Sequence, residues 1–387
     1  AKECGVELFV LDDGWFGQRN DDHAGLGDWV ANPERLPNGI KGLSERIEAM
    51  GIKFGLWFEP EMTNKDSDLY RAHPDWILHT PGRNTSHGRY QYVLDFSRKE
   101  VVEYIYEMMA KILSEAKVSY IKWDMNRSIT ECYSVALPAD RQGEVFHRYI
   151  LGVYDLYERL TSEFPEVLFE SCSSGVGRFD PGMLYYAPQG WTSDDSDAIE
   201  RLKIQYGTSL CYPISSMGSH VSVIPNHQVF RKTPLHTRAN VAYFGTFGYE
   251  LDLNSLKEEE IAEVKEQIIF MKKYRKLFQF GDFYRLKSPF EGNETIWMVV
   301  SEDKKTAIVG YYRTLNGVNQ AYSRIKLQGL DPDMLYENIL NKTENYGDEL
   351  MNFGLITTDV TAGEVPGDAT PCTDFESRIY ILKAKEK

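Results

Sequence analysis

The stretch SYIKWDMN, residues 119–126, alternates in a way that decides how the chain is read. Side chains along a strand point to opposite faces with period two, so Tyr120, Lys122, Asp124 and Asn126 share one face, and Ile121, Trp123 and Met125 share the other. The apolar set suits packing against helices. The polar set then turns toward the other side of the sheet, with an ammonium, a carboxylate and an amide stacked in one narrow place. A strand buried on both sides, with chemistry at its C-terminal end, belongs to a parallel α/β sheet.

Six similar runs occur on either side of it. ELFVLDD (7–13) and KFGLWFEP (53–60) precede it, and VLFESCSS (167–174), GWTSDDSD (190–197), ISSMGSH (214–220) and FGYELDL (247–253) follow. Helical patterns lie between or after them, among them EVVEYIYEMMAKILSEA (100–116), FHRYILGVYDLYERLTSEF (146–164) and KEEEIAEVKEQIIFMKKYRKLF (257–278). The alternation predicts repeated βα units. Seven strands are visible where an eight-stranded barrel needs one more. Residues Ala1 to Gly5 read as the last turn of a helix closed by a glycine, so the expected fold is a (β/α)8 TIM barrel lacking its first strand. An open doubly wound sheet would carry a Gly-rich phosphate loop after its first strand, and none is present.

Near Gly281 the pattern changes. Short runs such as TIWMVVSED (295–303), KTAIVGYYR (305–313), AYSRIKLQGL (321–330), DMLYENIL (333–340) and SRIYILKAK (377–385) are joined by Gly, Asn and Asp turns with no helix between them. The expected organisation is a catalytic barrel over 1–280 and a small antiparallel β-sandwich over 281–387.

Composition narrows the partners. A net charge of −15 argues against nucleic acid or an anionic membrane as partner. No apolar run is long enough to span a bilayer. The 24 Tyr, 19 Phe and 7 Trp suit sugar rings as well as cores, so they are only a hint. Five scattered cysteines without a CxxC pair form neither a disulfide framework nor a thiolate zinc site, which fits a reducing compartment and a cytoplasmic protein.

The chemistry is legible at the strand ends. Asp12-Asp13, Glu59, Lys122-Trp123-Asp124, Glu170 and Asp194-Asp195 all close strands, where a barrel keeps its catalytic groups. Lys122 next to Asp124 favours an ionised nucleophile. Asp194, Asp195 and Asp197 crowd three carboxylates together, which favours a protonated member able to act as an acid. Each residue also has a plainer reading: Asp13 or Asp197 as a helix cap, Asp194-Asp195 as a cation site, Lys122 with Asp124 as a structural ion pair, a Trp as core. Five polar strand ends in one sheet favour the chemical reading.

Taken together, LDDGWFG (11–17), LGDW (26–29), WFEPEM (57–62), KWDMNR (122–127), ESCSSG (170–175), TSDDSDAIER (192–201) and MGSHVS (217–222) resemble glycoside hydrolase family 36. That family contains microbial α-galactosidases acting on raffinose, stachyose and melibiose. The resemblance implies a retaining double displacement, with Asp124 as nucleophile and Asp194 as acid/base, and carboxyl groups about 5–5.5 Å apart. It implies that Asp12 and Asp13 hold the sugar's 4- and 6-hydroxyls. Trp57, Arg89, Lys122, Asn126, Cys172, Gly175 and Trp191 are expected to line the same subsite. The small residues from Cys172 to Gly175 leave room for a 2-hydroxyl. No metal or organic cofactor is implied, the partner is a small oligosaccharide, and related proteins form tetramers. The chain departs from the family in two respects: Val176 stands where glycine is usual, and an N-terminal β-sandwich with the first barrel strand is not in this sequence. The rival readings are a galactosyl transferase with the same aspartates, a silent sugar-binding protein, and a metal-dependent barrel hydrolase, for which no HxH or HExxH spacing exists.

Overall fold

Gly5 closes a single 3-10 turn, Lys2–Cys4, with a left-handed backbone (φ 88°), and the chain enters strand β1 (Leu8–Leu11) directly. Except for residues 176, 318–322, 358–373 and 386–387, the computed structural model describes the whole chain. The described residues gather into two compact units, Ala1–Trp191 and Thr192–Lys387.

In the first unit β1 is followed by helix α1 (Gly39–Ala49) and β2 (Lys53–Phe58). The long insertion after β2 has structure of its own: β3 (Met62–Asn64) pairs antiparallel with β4 (Gln91–Val93), with α2 (Asp68–Ala72) between them. Ser67 caps α2 by accepting the Tyr70 N–H. Then come α3 (Lys99–Glu115), β5 (Tyr120–Trp123), α4 (Val145–Glu163), β6 (Leu168–Ser171), α5 (Pro181–Tyr186) and β7 (Gln189–Trp191). Strands β1, β2, β5, β6 and β7 lie side by side in that order, all parallel.

Register decides what meets across this sheet. Trp57 is level with Lys122, Lys122 with Glu170, and Glu170 with Gln189, so one row of the sheet is polar from β5 to β7. The other face behaves as the alternation predicts. Ile121 and Trp123 are fully buried, and the Trp123 ring stacks on Tyr157 of α4 with centroids 4.0 Å apart. Helices α3 and α4 present Val102, Ile105, Met109, Val153 and Leu156 to the same core. Burying side chains of this size contributes roughly 1.5–3 kcal/mol each.

The second unit holds α6 (Ala198–Thr208), β8 (Met217–Ser222), α7 (Leu235–Ala242), β9 (Thr246–Glu250) and α8 (Glu258–Phe280), with β8 and β9 parallel. The run GWTSDDSD was expected to be a strand throughout, but its strand ends at Trp191. Beyond it the side chains take over the backbone's partners. Asp195 N–H donates to Ser193 Oγ at 3.1 Å, Asp197 N–H to Asp195 Oδ1 at 3.0 Å, and Ile199 N–H to Asp197 Oδ1 at 3.0 Å. Three successive side chain-to-backbone turns compete directly with a ladder and lead into α6, which Asp197 caps.

From Asp282 onward all pairing among the described residues is antiparallel. Strands β10 (Asp282–Lys287), β11 (Glu294–Val300), β12 (Thr306–Arg313), β14 (Leu335–Asn338), β15 (Glu344–Tyr346) and β17 (Glu376–Ala384) form one sheet in the order β10-β11-β12-β17-β14-β15. The second layer is a short ribbon of β13 (Arg324–Ile325) and β16 (Leu355–Ile356), with α9 (Gly347–Asn352) before β16. Ile325, Leu350 and Leu355 join one cluster with Met298, Val309, Tyr311 and Leu382 of the sheet. On the opposite face, Trp297 of β11 packs edge-on against Phe244, ring centroids 5.5 Å apart. Both faces of β11 and β12 are therefore buried.

Candidate active site

Asp124 follows β5, its N–H donating to Phe58 O at 2.7 Å. Asp124 is 7% exposed, and its side chain receives three N–H groups: Asn126 Nδ2 at 2.8 Å and Trp57 Nε1 at 3.2 Å on Oδ2, and its neighbour Met125 N–H at 2.8 Å on Oδ1. Three neutral donors from β2 and the β5 end fix the carboxylate, and no described residue pairs it to a cation. Trp57 is itself held, because its carbonyl accepts the Trp15 indole N–H at 2.9 Å.

The ammonium expected beside Asp124 is engaged elsewhere. Lys122 Nζ makes its ion pair with Asp12 Oδ2 at 2.8 Å, a contact between the ends of β5 and β1. Burial alone would lower this ammonium, but the Asp12 and Glu170 carboxylates outweigh it and hold Lys122 well above its ordinary value. Glu170 is buried one strand over, accepting from Tyr120 OH and Gln189 Nε2. Asp13, the other half of the strand-end pair, is gripped by Arg19 through Nε at 3.0 Å and Nη2 at 2.8 Å. Asp12 and Asp13 both keep a solvent-exposed side, so each has lone pairs left for a hydroxyl.

The loop after β6 closes over Asn126. Ser174 Oγ donates to Asn126 Oδ1 at 3.3 Å, and Ser173 N–H donates to Gly175 O at 3.2 Å. Ser174 (φ 45°) and Gly175 (φ 86°) are both left-handed, a conformation Gly175 adopts freely and Ser174 only under constraint. The Cys172 thiol is buried, and desolvation first, then the Asp124 charge, push it far above the usual thiol range. It is a protonated S–H at neutral pH, not a nucleophile. Val176 lies outside the described residues.

Arg89 stands in the segment leading into β4, exposed, with φ 49°; Tyr90 beside it is also left-handed at φ 59°. Two consecutive non-glycine residues of this kind store backbone strain. Trp191 is buried at the end of β7. Asp194 belongs to the second unit, where it is exposed just past β7 and its carbonyl accepts Gln228 Nε2 at 3.1 Å. The three aspartates of this stretch do different work: Asp197 caps α6 and pairs with Arg231, Asp195 orients Asp197, and Asp194 is left at the surface.

Sequence patterning placed Glu59 of WFEPEM at a strand end without giving it a role, and passed over Glu61. Glu59 accepts the Asn126 backbone N–H and, at 3.0 Å, Gln91 Nε2. Glu61 takes both arms of Arg178, at 2.7 and 2.8 Å, as well as Trp123 Nε1 at 2.8 Å and Tyr149 OH. Both are 0% exposed. The signal was two carboxylates spaced by one proline in an otherwise apolar strand end.

Comparison with known proteins divides the chain where its pairing changes. Residues 1–281 match the family model described as Melibiase, and residues 294–382 match the glycosyl hydrolase family 36 C-terminal domain. Alpha-galactosidase AgaA of Geobacillus stearothermophilus is 56% identical over 100% of this chain and 51% of its own length. Alpha-galactosidase Mel36A of Lactobacillus acidophilus is 49% identical over 99% and 51%. The chain thus spans about half the length of the curated relatives it matches. A crystal structure of a G. stearothermophilus AgaA variant in complex with raffinose superposes with a TM-score of 0.94 at 53% identity, covering 99% of this chain and 52% of that one. The α-galactosidase from Lactobacillus brevis gives 0.96 at 51%, covering 100% and 52%.

Proposed function

This chain belongs to glycoside hydrolase family 36, the melibiases, and on that premise we propose that it carries the active centre of a retaining α-galactosidase. The observation that carries the proposal is the Asp124 carboxylate, fixed by Trp57, Met125 and Asn126 at the end of a parallel strand and bonded to no cation among the described residues. A carboxylate held this way keeps its lone pairs aligned for attack.

In the first step Asp124 attacks the anomeric carbon while Asp194 gives its proton to the departing glycosidic oxygen. The C–O bond to the leaving sugar breaks as the bond to Asp124 forms. In the second, Asp194 takes a proton from water, the hydroxide displaces Asp124, and galactose leaves with its configuration retained. Asp12 and Asp13 accept hydroxyls of the galactose, and their engagement with Lys122 and Arg19 sets the direction of their free lone pairs. Trp57, Arg89, Cys172, Gly175 and Trp191 line the same subsite. The substrates are raffinose-family oligosaccharides and melibiose, supported by relatives crystallised with raffinose and with stachyose.

The parallel strands are read as part of a (β/α)8 barrel over 1–280, with 281–387 as a separate antiparallel domain. The switch in pairing at Asp282 and the two family matches support that division. The thiols of Cys4, Cys132, Cys172 and Cys211 are free, in keeping with a reducing, cytoplasmic setting. A homotetramer is the assembly the family suggests.

The test is hydrolysis of nitrophenyl α-galactoside beside nitrophenyl α-glucoside, with the first-formed sugar followed by proton NMR. Release of α-galactose from the galactoside alone, lost in Asp124→Ala, is the expected result. β-Galactose as the first product overturns retention, and a galactosyl adduct on added sucrose in place of free galactose overturns hydrolysis.

A further inference from the structure

Glu59 and Glu61 leave β2 two residues apart, both without solvent contact, and they are satisfied in opposite ways. Glu61 has Arg178 bound to both oxygens. Among the described residues, Glu59 has only neutral donors: the Asn126 backbone N–H on Oε1 and the Gln91 amide on Oε2. Among the described residues, the charges that bear on it at longer range are Arg89, before β4, and Asp124, after β5. A fully buried carboxylate without a bonded cation is costly, and the usual resolution is to keep its proton.

We propose that Glu59 is a positioning residue for the nucleophile: held uncharged, it fixes Asn126, whose side chain in turn fixes Asp124, and its ionisation at alkaline pH disrupts both. The geometry is a two-bond relay. Glu59 Oε1 accepts from Asn126 N–H, and Asn126 Nδ2 donates to Asp124 Oδ2 at 2.8 Å. Gln91, from β4 of the insertion, meets the other oxygen at 3.0 Å, and with its amide turned, its Oε1, which has no partner among the described residues, accepts the carboxyl proton. Desolvation first, and the Asp124 charge second, push the Glu59 carboxyl up to about 8, against the opposing pull of the Asn126 bonds and Arg89. Below that pH the pair Glu59–Asp124 carries one negative charge. Above it there are two, sharing one asparagine between them, and mutual repulsion displaces the group that aims Asp124.

This inference rests on Asp124 being the nucleophile, and its test separates the two. A dinitrophenyl α-galactoside has a leaving group that departs without protonation, so titration of the general acid drops out of its kcat/KM. The wild-type protein is expected to lose kcat/KM on the alkaline side with a midpoint near the Glu59 value of about 8. Glu59→Gln, neutral at every pH, is expected to keep kcat/KM within about tenfold near neutrality and to lose that alkaline limb. Glu59→Ala, which removes the acceptor for Asn126, is expected to lose about a hundredfold at all pH values. An alkaline limb that persists in Glu59→Gln, or a Gln variant as damaged as the Ala variant, overturns the proposal.

An infrared measurement decides the protonation without turnover. A buried carboxylic acid C=O band is expected in the wild-type protein at neutral pH, absent from Glu59→Gln and titrating at lower pH in Asp124→Asn. Absence of that band from the wild type overturns the proposal even if the protein is active. A protein that shows the band but does not hydrolyse the galactoside overturns instead the reading of Asp124.

Discussion

Two regions of this molecule bury their side chains on opposite terms. In the antiparallel sheet, β11, β12 and β17 are lined by Met298, Val299, Ile308, Val309, Tyr311 and Leu382, and Arg313 is the single charged residue among the fully buried ones described beyond Asp282. Around the ends of β2 and β5 and the loops beside them, Glu59, Glu61, Asp95, Asp124 and Glu170 are all buried. The first arrangement stabilises the fold at every position. The second costs desolvation at every position and is tolerated only where donors are supplied one by one. A chain concentrates that cost where the groups have chemical work.

The sharpest way to break the comparison is to exchange the two kinds of loss. Asp124→Ala is expected to lower kcat/KM by at least about a thousandfold, about 4 kcal/mol of barrier, while leaving the thermal midpoint unchanged or higher. Trp297→Ala in β11 is expected to do the reverse, losing about 3–5 kcal/mol of stability with kcat/KM unchanged in the protein that remains folded. Equal effects on both readouts in either variant would erase the distinction.

Next in size is Arg178→Met, which strands Glu61 without its cation. It is expected to cost about 3–5 kcal/mol in denaturant unfolding, and adding Glu61→Gln is expected to recover part of that, because the uncompensated charge goes too. A loss below about 1 kcal/mol in the single variant would mean that Glu61 tolerates solitude as Glu59 does.

The pH dependences differ in sign between the regions. Glu59 is raised from 4.5 to about 8, so between those values the native state holds a proton that the unfolded state has released. Stability therefore falls as pH rises through that window, by up to about 1.4 kcal/mol per pH unit, and Glu59→Gln removes the slope. Glu376 of β17 goes the other way. Burial raises it, but His236, at 2.8 Å, together with Arg378 and the Ser377 N–H outweighs burial and lowers it to about 2. Its contribution is present above 4.5 and lost as pH falls toward 2. With solvent screening it amounts to no more than about 1 kcal/mol, measured as the acid-side shift in unfolding midpoint removed by Glu376→Gln.

What the sequence discloses, and what it withholds, follows from range. Period-two alternation is local, so the opposite facings of Trp123 and Lys122 could be read directly. So could the polar strand ends and the change of pairing near Gly281. Partners are not local. Lys122 finds Asp12 across 110 residues rather than Asp124 two residues on. Glu59 depends on Gln91, which only the β3–β4 pairing brings near. The run from Ser193 to Asp197 failed for another reason: its β-compatible frame is full of side chains short enough to bond the backbone two residues ahead. Asp197, one of three crowded carboxylates in the sequence, is in the fold a cap with an arginine partner.

The buried thiol of Cys172 has a practical consequence at the bench. Its proton is held far more tightly than in an ordinary cysteine, so it offers no thiolate to an electrophile, whereas Cys211 stands exposed after α6. Of these two, a maleimide dye or spin label added near neutral pH is therefore steered to Cys211, and the sulfur beside Asp124 stays unmodified. The protein can be tethered, tagged or tracked through Cys211, with turnover as the control that Cys172 was spared.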